Sequence, residues 1–392
     1  METIDTFCGG GKSMRCSIKL LLVLTMTGML GGCGAGSFHS MLGKSQQLIS
    51  NGQYDQASQG IMRMISIYPN EPKPYYLLGL VDLANKRYDR SIVNFEKAER
   101  RGLEKNDNFY LNKGIALYGN DDLIGAEDAF IQASSSGAAQ KYLGLVRYEF
   151  SDFTGATEAF RKATGIKNDT NSLYAFGMSL YYEGANKEAL DIMSMAYKLA
   201  PENDKIVFQT ANLQMLNGYY AEAIDLYADI PPESSYSMKG RYNRAEAYIR
   251  AGQYPDAVAL LEEYTAENPN DYEALYNLSA ALIKTGDCAS ATEHLMRLVV
   301  NDTFSTRAAY NLGLAHYRLG NYTESAHYFS RSVEGNLENA AYRYAYGLAL
   351  SEFGDMRGAE EQMIILLNLN PGNVDASTWL EQNVPPEPIE TP

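Results

Sequence analysis

Residues 310–331 read YNLGLAHYRLGNYTESAHYFSR, with leucine and alanine at the spacing of one helix face, a break at Gly320, and a second helical stretch after it. The pattern predicts two helices joined by a tight turn. Thirty-four residues upstream the chain reads YNLSAALIKTGDCASATEHLMR, and thirty-four before that YNRAEAYIRAGQYPDAVALLEE. A fixed period in the range of roughly 20–50 residues is the mark of a repeat architecture. One frame places repeat starts at 38, 72, 107, 137, 170, 204, 238, 272, 306 and 340, with the 34-residue spacing unbroken from 170 onward.

Three positions of the frame carry the packing argument. The eighth is Ser45, Gly79, Gly114, Gly144, Gly177, Ala211, Ala245, Ser279, Gly313 and Gly347; the twentieth is Ala or Ser throughout, from Ala57 to Ala359. Small residues at both let two antiparallel helices approach closely. The twenty-fourth is large, from Ile61 and Phe95 to Phe329 and Met363, and is expected to fill the layer between repeats. Gly52, Gly184, Gly218, Gly252, Gly286, Gly320 and Gly354 fall at the turn between the two helices, a place for positive φ. Pro69, Pro201, Pro269 and Pro371 end the second helix, since proline lacks the N–H and clashes with the preceding turn.

This pattern, over residues 38–373, resembles the tetratricopeptide repeat (TPR), although the usual Trp or Tyr at position 4 is often replaced here and repeats 1 and 6 match least. The resemblance implies an all-α, right-handed superhelix, an α-solenoid of about ten helix hairpins in which each buries its apolar face against its neighbours. The last hairpin then needs a lid. Residues 374–383, VDASTWLEQN, are expected to supply it as a capping helix, with Asp375 as N-cap and Trp379 and Leu380 as cover. The tail 384–392, VPPEPIETP, is expected to be disordered. Hinges are expected at Ser134-Ser135-Ser136, where repeat 3 is short, and after Pro231-Pro232, where repeat 6 ends early.

The same resemblance implies that the first helix of each hairpin lines a concave groove. Position 6, on that wall, holds Gln209, Asn243, Asn277 and Asn311 in four consecutive repeats, and Asn112 in repeat 3. A carboxamide offers a donor and an acceptor, so a ladder of them can hold the main chain of an extended peptide. Position 5 adds Tyr76, Tyr174, Tyr242, Tyr276, Tyr310 and Tyr344, flat apolar surfaces with one hydroxyl each. Lys239 and Arg307 at position 2, and Arg250, Lys284 and Arg318 at position 13, form a cationic strip suited to an acidic segment or a C-terminus. The alternative is structural: amides solvated on an exposed face and tyrosines packed between hairpins.

Charge and cysteine content place this array. The formal net charge of −15 argues against general binding to nucleic acid or to an anionic membrane surface. Three of the four cysteines, Cys8, Cys16 and Cys33, lie near the N-terminus, so the body, with Cys288 alone, has no disulfide framework. Residues 14–33 combine Arg15 and Lys19 with an apolar run too short to span a bilayer, ending in Leu30-Gly31-Gly32-Cys33. This resembles the lipobox of bacterial lipoproteins, which implies a signal peptide over 1–32, lipid attachment at Cys33 and a lipidated linker over 33–37. Gly34 after the cysteine implies, by the same resemblance, sorting to the outer membrane, facing the periplasm. The GGGKS of residues 9–13 lacks the first glycine and the strand of a phosphate loop and precedes the signal, which points to Met14 as the start.

Chemistry is otherwise sparse. His39, His294, His316 and His327 form no metal-ligand spacing, and no nucleophile elbow occurs. Cys288 takes a position expected to be buried. The expectation is a scaffold, not an enzyme, with no cofactor. Its partners are other proteins, and its membrane contact is through the N-terminal lipid alone. Resemblance to TPR lipoproteins of pilus assembly (type IV or tight-adherence) and secretion implies a part in such a machine. An adaptor for periplasmic proteases or cell-wall hydrolases, and a lipoprotein of exopolysaccharide export, are the alternatives.

Overall fold

A computed structural model describes residues 35–300 and 305–384. The predicted signal peptide, Cys33 and residues 385–392 of the predicted tail lie outside the described residues. Those described are all-α, with no strand among them. The chain divides into two compact units, residues 1–206 and 207–392.

The first unit stacks five hairpins: α1 (Ala35–Ser50) with α2 (Tyr54–Ile67), α3 (Pro72–Ala84) with α4 (Tyr88–Arg100), α5 (Asp107–Gly119) with α6 (Leu123–Gln132), α7 (Gly137–Glu149) with α8 (Phe153–Lys162), and α9 (Thr170–Tyr182) with α10 (Asn186–Leu199). Helix α1 begins inside the segment read as linker. The second unit continues from α11 (Asp204–Leu216), whose first turn precedes the division, paired with α12 (Tyr220–Ala228). Then come α13 (Ser237–Arg250) with α14 (Tyr254–Glu267), α15 (Tyr272–Thr285) with α16 (Cys288–Leu298), α17 (Ser305–Arg318) with α18 (Tyr322–Gly335), and α19 (Ala340–Phe353) with α20 (Met356–Leu369). Helix α21 (Val374–Asn383) closes the unit. Within each unit successive hairpins stack on one another as an α-solenoid.

The turn inside each hairpin is built by two adjacent positions. Position 15 takes a positive φ in all ten hairpins. It is the glycine expected in seven, but Lys86 (φ 57), Asp121 (φ 71) and Ser151 (φ 60) in hairpins 2 to 4. At position 16 of nine hairpins, all but that of Asp287, the backbone N–H donates back to the carbonyl five residues earlier, as Gln53 does to Leu48 at 2.8 Å and Asp355 to Leu350 at 2.9 Å. That closes the first helix as a Schellman motif. Where position 16 is aspartate, its carboxylate also caps the second helix: Asp122 accepts from the Gly125 N–H, Asp152 from Gly155, Asp287 from Ser290 and Asp355 from Gly358. One residue thus ends one helix and starts the next.

The hairpin interior adds to the reading of position 24. Its side chain sits on the position-8 glycine of its own hairpin as well as reaching the next repeat. A Cβ on Gly79 would stand 2.6 Å from the Phe95 ring, one on Gly114 2.5 Å from Phe130, and one on Gly313 2.7 Å from Phe329. These rings are fully buried, and Phe95 also meets Phe109 of the next hairpin edge to face at 6.0 Å. The glycine is required because the ring occupies the volume of its missing side chain. Position 20 completes the seat. Where it is serine, its hydroxyl donates to the carbonyl of position 8, from Ser91 to Gly79 and from Ser325 to Gly313, both at 2.9 Å and buried.

One further expectation changes. Asn373, not Asp375, caps α21, accepting from the Ala376 N–H at 2.9 Å; Asp375 falls in the first turn, because the helix starts at Val374. Trp379 is buried against Met363 and Leu366. The division into units falls within α11 and not at either expected hinge. Ser136 is occupied as the N-cap of α7, and Ile230, beyond the end of α12, is buried beside Gly240.

Candidate functional site

In the second unit the first helices lie side by side, α13 against α15, α15 against α17 and α17 against α19; no pair of successive second helices is in comparable contact. Position 6 falls at this contact, and the amides of Asn112, Asn243 and Asn277 meet the hairpin before them. Asn277 Nδ2 donates to the Tyr242 hydroxyl at 2.9 Å, and in the first unit Asn112 Nδ2 donates to Tyr76 at 3.1 Å. In both pairs position 6 reaches back to position 5 of the preceding repeat. Asn243 Nδ2 donates instead to Asn212 Oδ1 at 2.8 Å, an oxygen that also accepts from the Tyr227 hydroxyl at 2.5 Å. Asn212 Nδ2 in turn donates to Gln209 Oε1 at 3.2 Å. Asn311 is buried, 9% exposed. The carboxamides of Asn112, Asn243 and Asn277 therefore tie successive hairpins together. Those of Asn243 and Asn277 stay half-buried, each with bonding capacity beyond the contacts named.

The tyrosines divide between packing and surface. Burial pushes the Tyr242 hydroxyl's pKa up, and the nearby Glu273 and Glu246 push it further. It stays neutral, a hydroxyl able to donate while accepting from Asn277. The Tyr310 ring stacks on Tyr342 of the next hairpin at 4.8 Å and tilts against Phe329 at 5.5 Å; burial raises its pKa too. Tyr174, also at position 5, is buried in the first unit, with Lys205 Nζ 4.2 Å from its ring centre.

Arg250, Arg307 and Arg318 have partners on the same wall. Arg250 forks onto Glu246 one turn back, at 2.7 and 3.0 Å. Arg307 lies over the Tyr276 ring at 4.2 Å, with Glu273 at 3.9 Å. Arg318 donates to the carbonyl of Ile283, one of the C-terminal carbonyls of α15 that have no partner in their own helix. Lys239 and Lys284 are exposed. The strip is thus interleaved with Glu246 and Glu273. Exposed pairs of this kind contribute only about 0–1 kcal/mol, so a ligand carboxylate can exchange for either glutamate at little cost.

Three residues bonded to or stacked on this face escape a reading by frame position: Asn212, Tyr227, which is buried on second helix α12, and Tyr342. Only Tyr227 left a signal, a hydroxyl at position 24, where most repeats carry an apolar side chain. Cys288 is buried and unpaired. His316 stacks on Tyr328 at 5.6 Å, and burial holds its pKa below the usual histidine value. No cluster of three or more metal-binding side chains occurs among the described residues. No helix among them is long and apolar enough to cross a membrane.

Comparison with known proteins agrees with this geometry. Residues 248–315 and 307–380 match two family models, each described as tetratricopeptide repeat. The chain carries tetratricopeptide repeats. No curated protein matches it. Among solved structures it is similar to MamA from Desulfovibrio magneticus RS-1, at 20% identity and a TM-score of 0.41, covering 44% of this chain and 97% of that one. It is also similar to the APC/C hetero-tetramer Cut9–Hcn1, at 12% identity and a TM-score of 0.44, covering 87% and 95%. TPR arrays are generally non-enzymatic and serve as scaffolds that bind other proteins along an extended face.

Proposed function

We propose that this chain is a lipid-anchored TPR scaffold on the periplasmic side of the outer membrane. It holds protein components of a pilus or secretion machine against the first-helix face of its second unit. The observation that carries the reading is the register of that face, where Tyr242, Tyr276 and Tyr310 recur on successive helices beside Asn243, Asn277 and exchangeable Arg–Glu pairs. Tyrosine and arginine are the side chains that binding surfaces favour. The Leu-Gly-Gly-Cys33 sequence supports the anchor.

A photo-crosslinking residue at the exposed position Lys284 tests both parts in cells. Adducts with a pilus or secretion component are expected, well above those from the same probe at Arg331, exposed on second helix α18. Cys33→Ser is expected to release the chain from the membrane fraction. Equal adducts from both sites would overturn the groove, and hydrolases as the captured proteins would replace the assembly role with the adaptor role.

A further inference from the structure

The first-helix face of the second unit carries a ladder of rings at a fixed interval. Position 5 is tyrosine in four successive hairpins, at Tyr242, Tyr276, Tyr310 and Tyr344, on α13, α15, α17 and α19. In the five hairpins of the first unit it is tyrosine only at Tyr76 and Tyr174, three hairpins apart. The four helices of the ladder pack side by side, and packed helices stand about 8–10 Å apart, so the rings recur at that interval. All four tyrosines are half-buried. Three are pinned by the hairpin that follows. Asn277 Nδ2 donates to the Tyr242 hydroxyl, Arg307 lies over the Tyr276 ring at 4.2 Å, and Tyr342 stacks on Tyr310 at 4.8 Å. Rings held in place in advance lower the ordering cost of binding. Burial raises the pKa of Tyr242, Tyr310 and Tyr344, so their hydroxyls keep the proton and can donate.

We infer, resting on the binding face proposed above, that its ligand is a proline-rich segment of a partner protein in the polyproline II conformation. The match is in spacing and in hydrogen bonding. Polyproline II advances about 3.1 Å per residue with three residues per turn, so one edge returns about every 9 Å, in step with the tyrosines. Four rings then span three turns, about 28 Å and about ten residues. A β-strand returns to the same face about every 6.7 Å and falls out of step with the ladder. Between the rings the face offers donors. The Tyr242 O–H is one, Asn277 Nδ2 has a second N–H, and Lys284 adds an exposed ammonium. The carboxylates beside them, Glu246 and Glu273, are engaged by Arg250 and Arg307. Proline answers such a surface, since it presents a carbonyl and has no N–H to satisfy. Asn277 Oδ1 leaves one acceptor for a residue between prolines. Grooves lined by aromatic rings take proline-rich segments in this way.

The test is fluorescence anisotropy of labelled decaproline titrated with the full chain. Saturable binding is expected. Tetraproline, which spans a single interval of the ladder, should bind at least about tenfold more weakly, and a Gly-Ser decapeptide weaker still. The Tyr276→Ala, Tyr310→Ala double variant should lose at least about tenfold in decaproline affinity. Tyr276→Phe, Tyr310→Phe keeps both rings and should stay within about threefold of the parent chain. Arg331→Glu, on second helix α18, should leave affinity unchanged. The series of peptide lengths needs no variant, so it holds even where loss of two rings unsettles the fold. Absence of saturable decaproline binding, or equal affinity for tetraproline and decaproline, would overturn the ligand. Partners crosslinked at Lys284 would stand in either case, so the binding face and its ligand fail separately.

Discussion

Hairpins 2 to 4 of the first unit and hairpins 6 to 8 of the second use one repeat frame and lock it in different ways. In the first, hairpins 2 to 4 pair a position-8 glycine with a phenylalanine at position 24, giving Phe95 on Gly79, Phe130 on Gly114 and Phe160 on Gly144. In the second, hairpins 6 to 8 carry Ala211, Ala245 and Ser279 opposite Tyr227, Leu261 and Leu295. There the seat is shallower, and polar bonds are more numerous: Asn212 joins Tyr227 and Asn243, and Asn277 joins Tyr242, where the first unit has Asn112 with Tyr76. The turns differ in the same direction. Hairpins 2 to 4 force Lys86, Asp121 and Ser151 into the left-handed region, whereas every hairpin of the second unit has glycine there. A solenoid tolerates this exchange because each hairpin answers only to its neighbours, so tight apolar locking and hydrogen-bonded locking can alternate along one chain.

The comparison breaks first at the ring seats. Phe130→Ala should cost about 3–5 kcal/mol, since a fully buried ring leaves a cavity. Gly114→Ala should cost about 1–3 kcal/mol, because its Cβ enters the ring's space. Adding Phe130→Leu to Gly114→Ala should recover part of that loss, reproducing the pairing of Ala245 with Leu261. Denaturant melts of these three variants and of Phe130→Leu alone check this, and additive losses would show that the seat is not a coupled pair.

Next come the hydrogen-bonded locks. Asn212→Ala leaves the Tyr227 hydroxyl and the Asn243 amide without their shared oxygen and should cost about 1–3 kcal/mol. Asn277→Ala removes a single bond at a half-buried site and should cost about 1 kcal/mol. Equal losses in thermal melts would mean that Asn212 organises no network. The smallest effects are at the turns. Lys86→Gly, Asp121→Gly and Ser151→Gly should each raise stability by up to about 1 kcal/mol: relief of left-handed strain outweighs the entropy glycine brings to the unfolded chain. Gly286→Ala should lower it by about 1 kcal/mol.

The sequence by itself determined the helical class, the 34-residue period, and the small and large positions of the hairpin. These are local or nearest-neighbour properties, written again in every repeat, so each copy corroborates the others. The turn glycines were legible for the same reason, since φ preference belongs to one residue and its neighbours. Asp375 was misread as a cap because choosing between Asn373 and Asp375 depends on where the chain leaves the preceding turn. Only the tertiary structure decided what the amides do. Asn277 and Asn112 meet tyrosines 35 and 36 residues away, and Asn243 meets an oxygen 31 residues away. Whether a carboxamide faces solvent, ligand or a neighbouring hydroxyl is set by the rotation between adjacent hairpins, which no single repeat encodes.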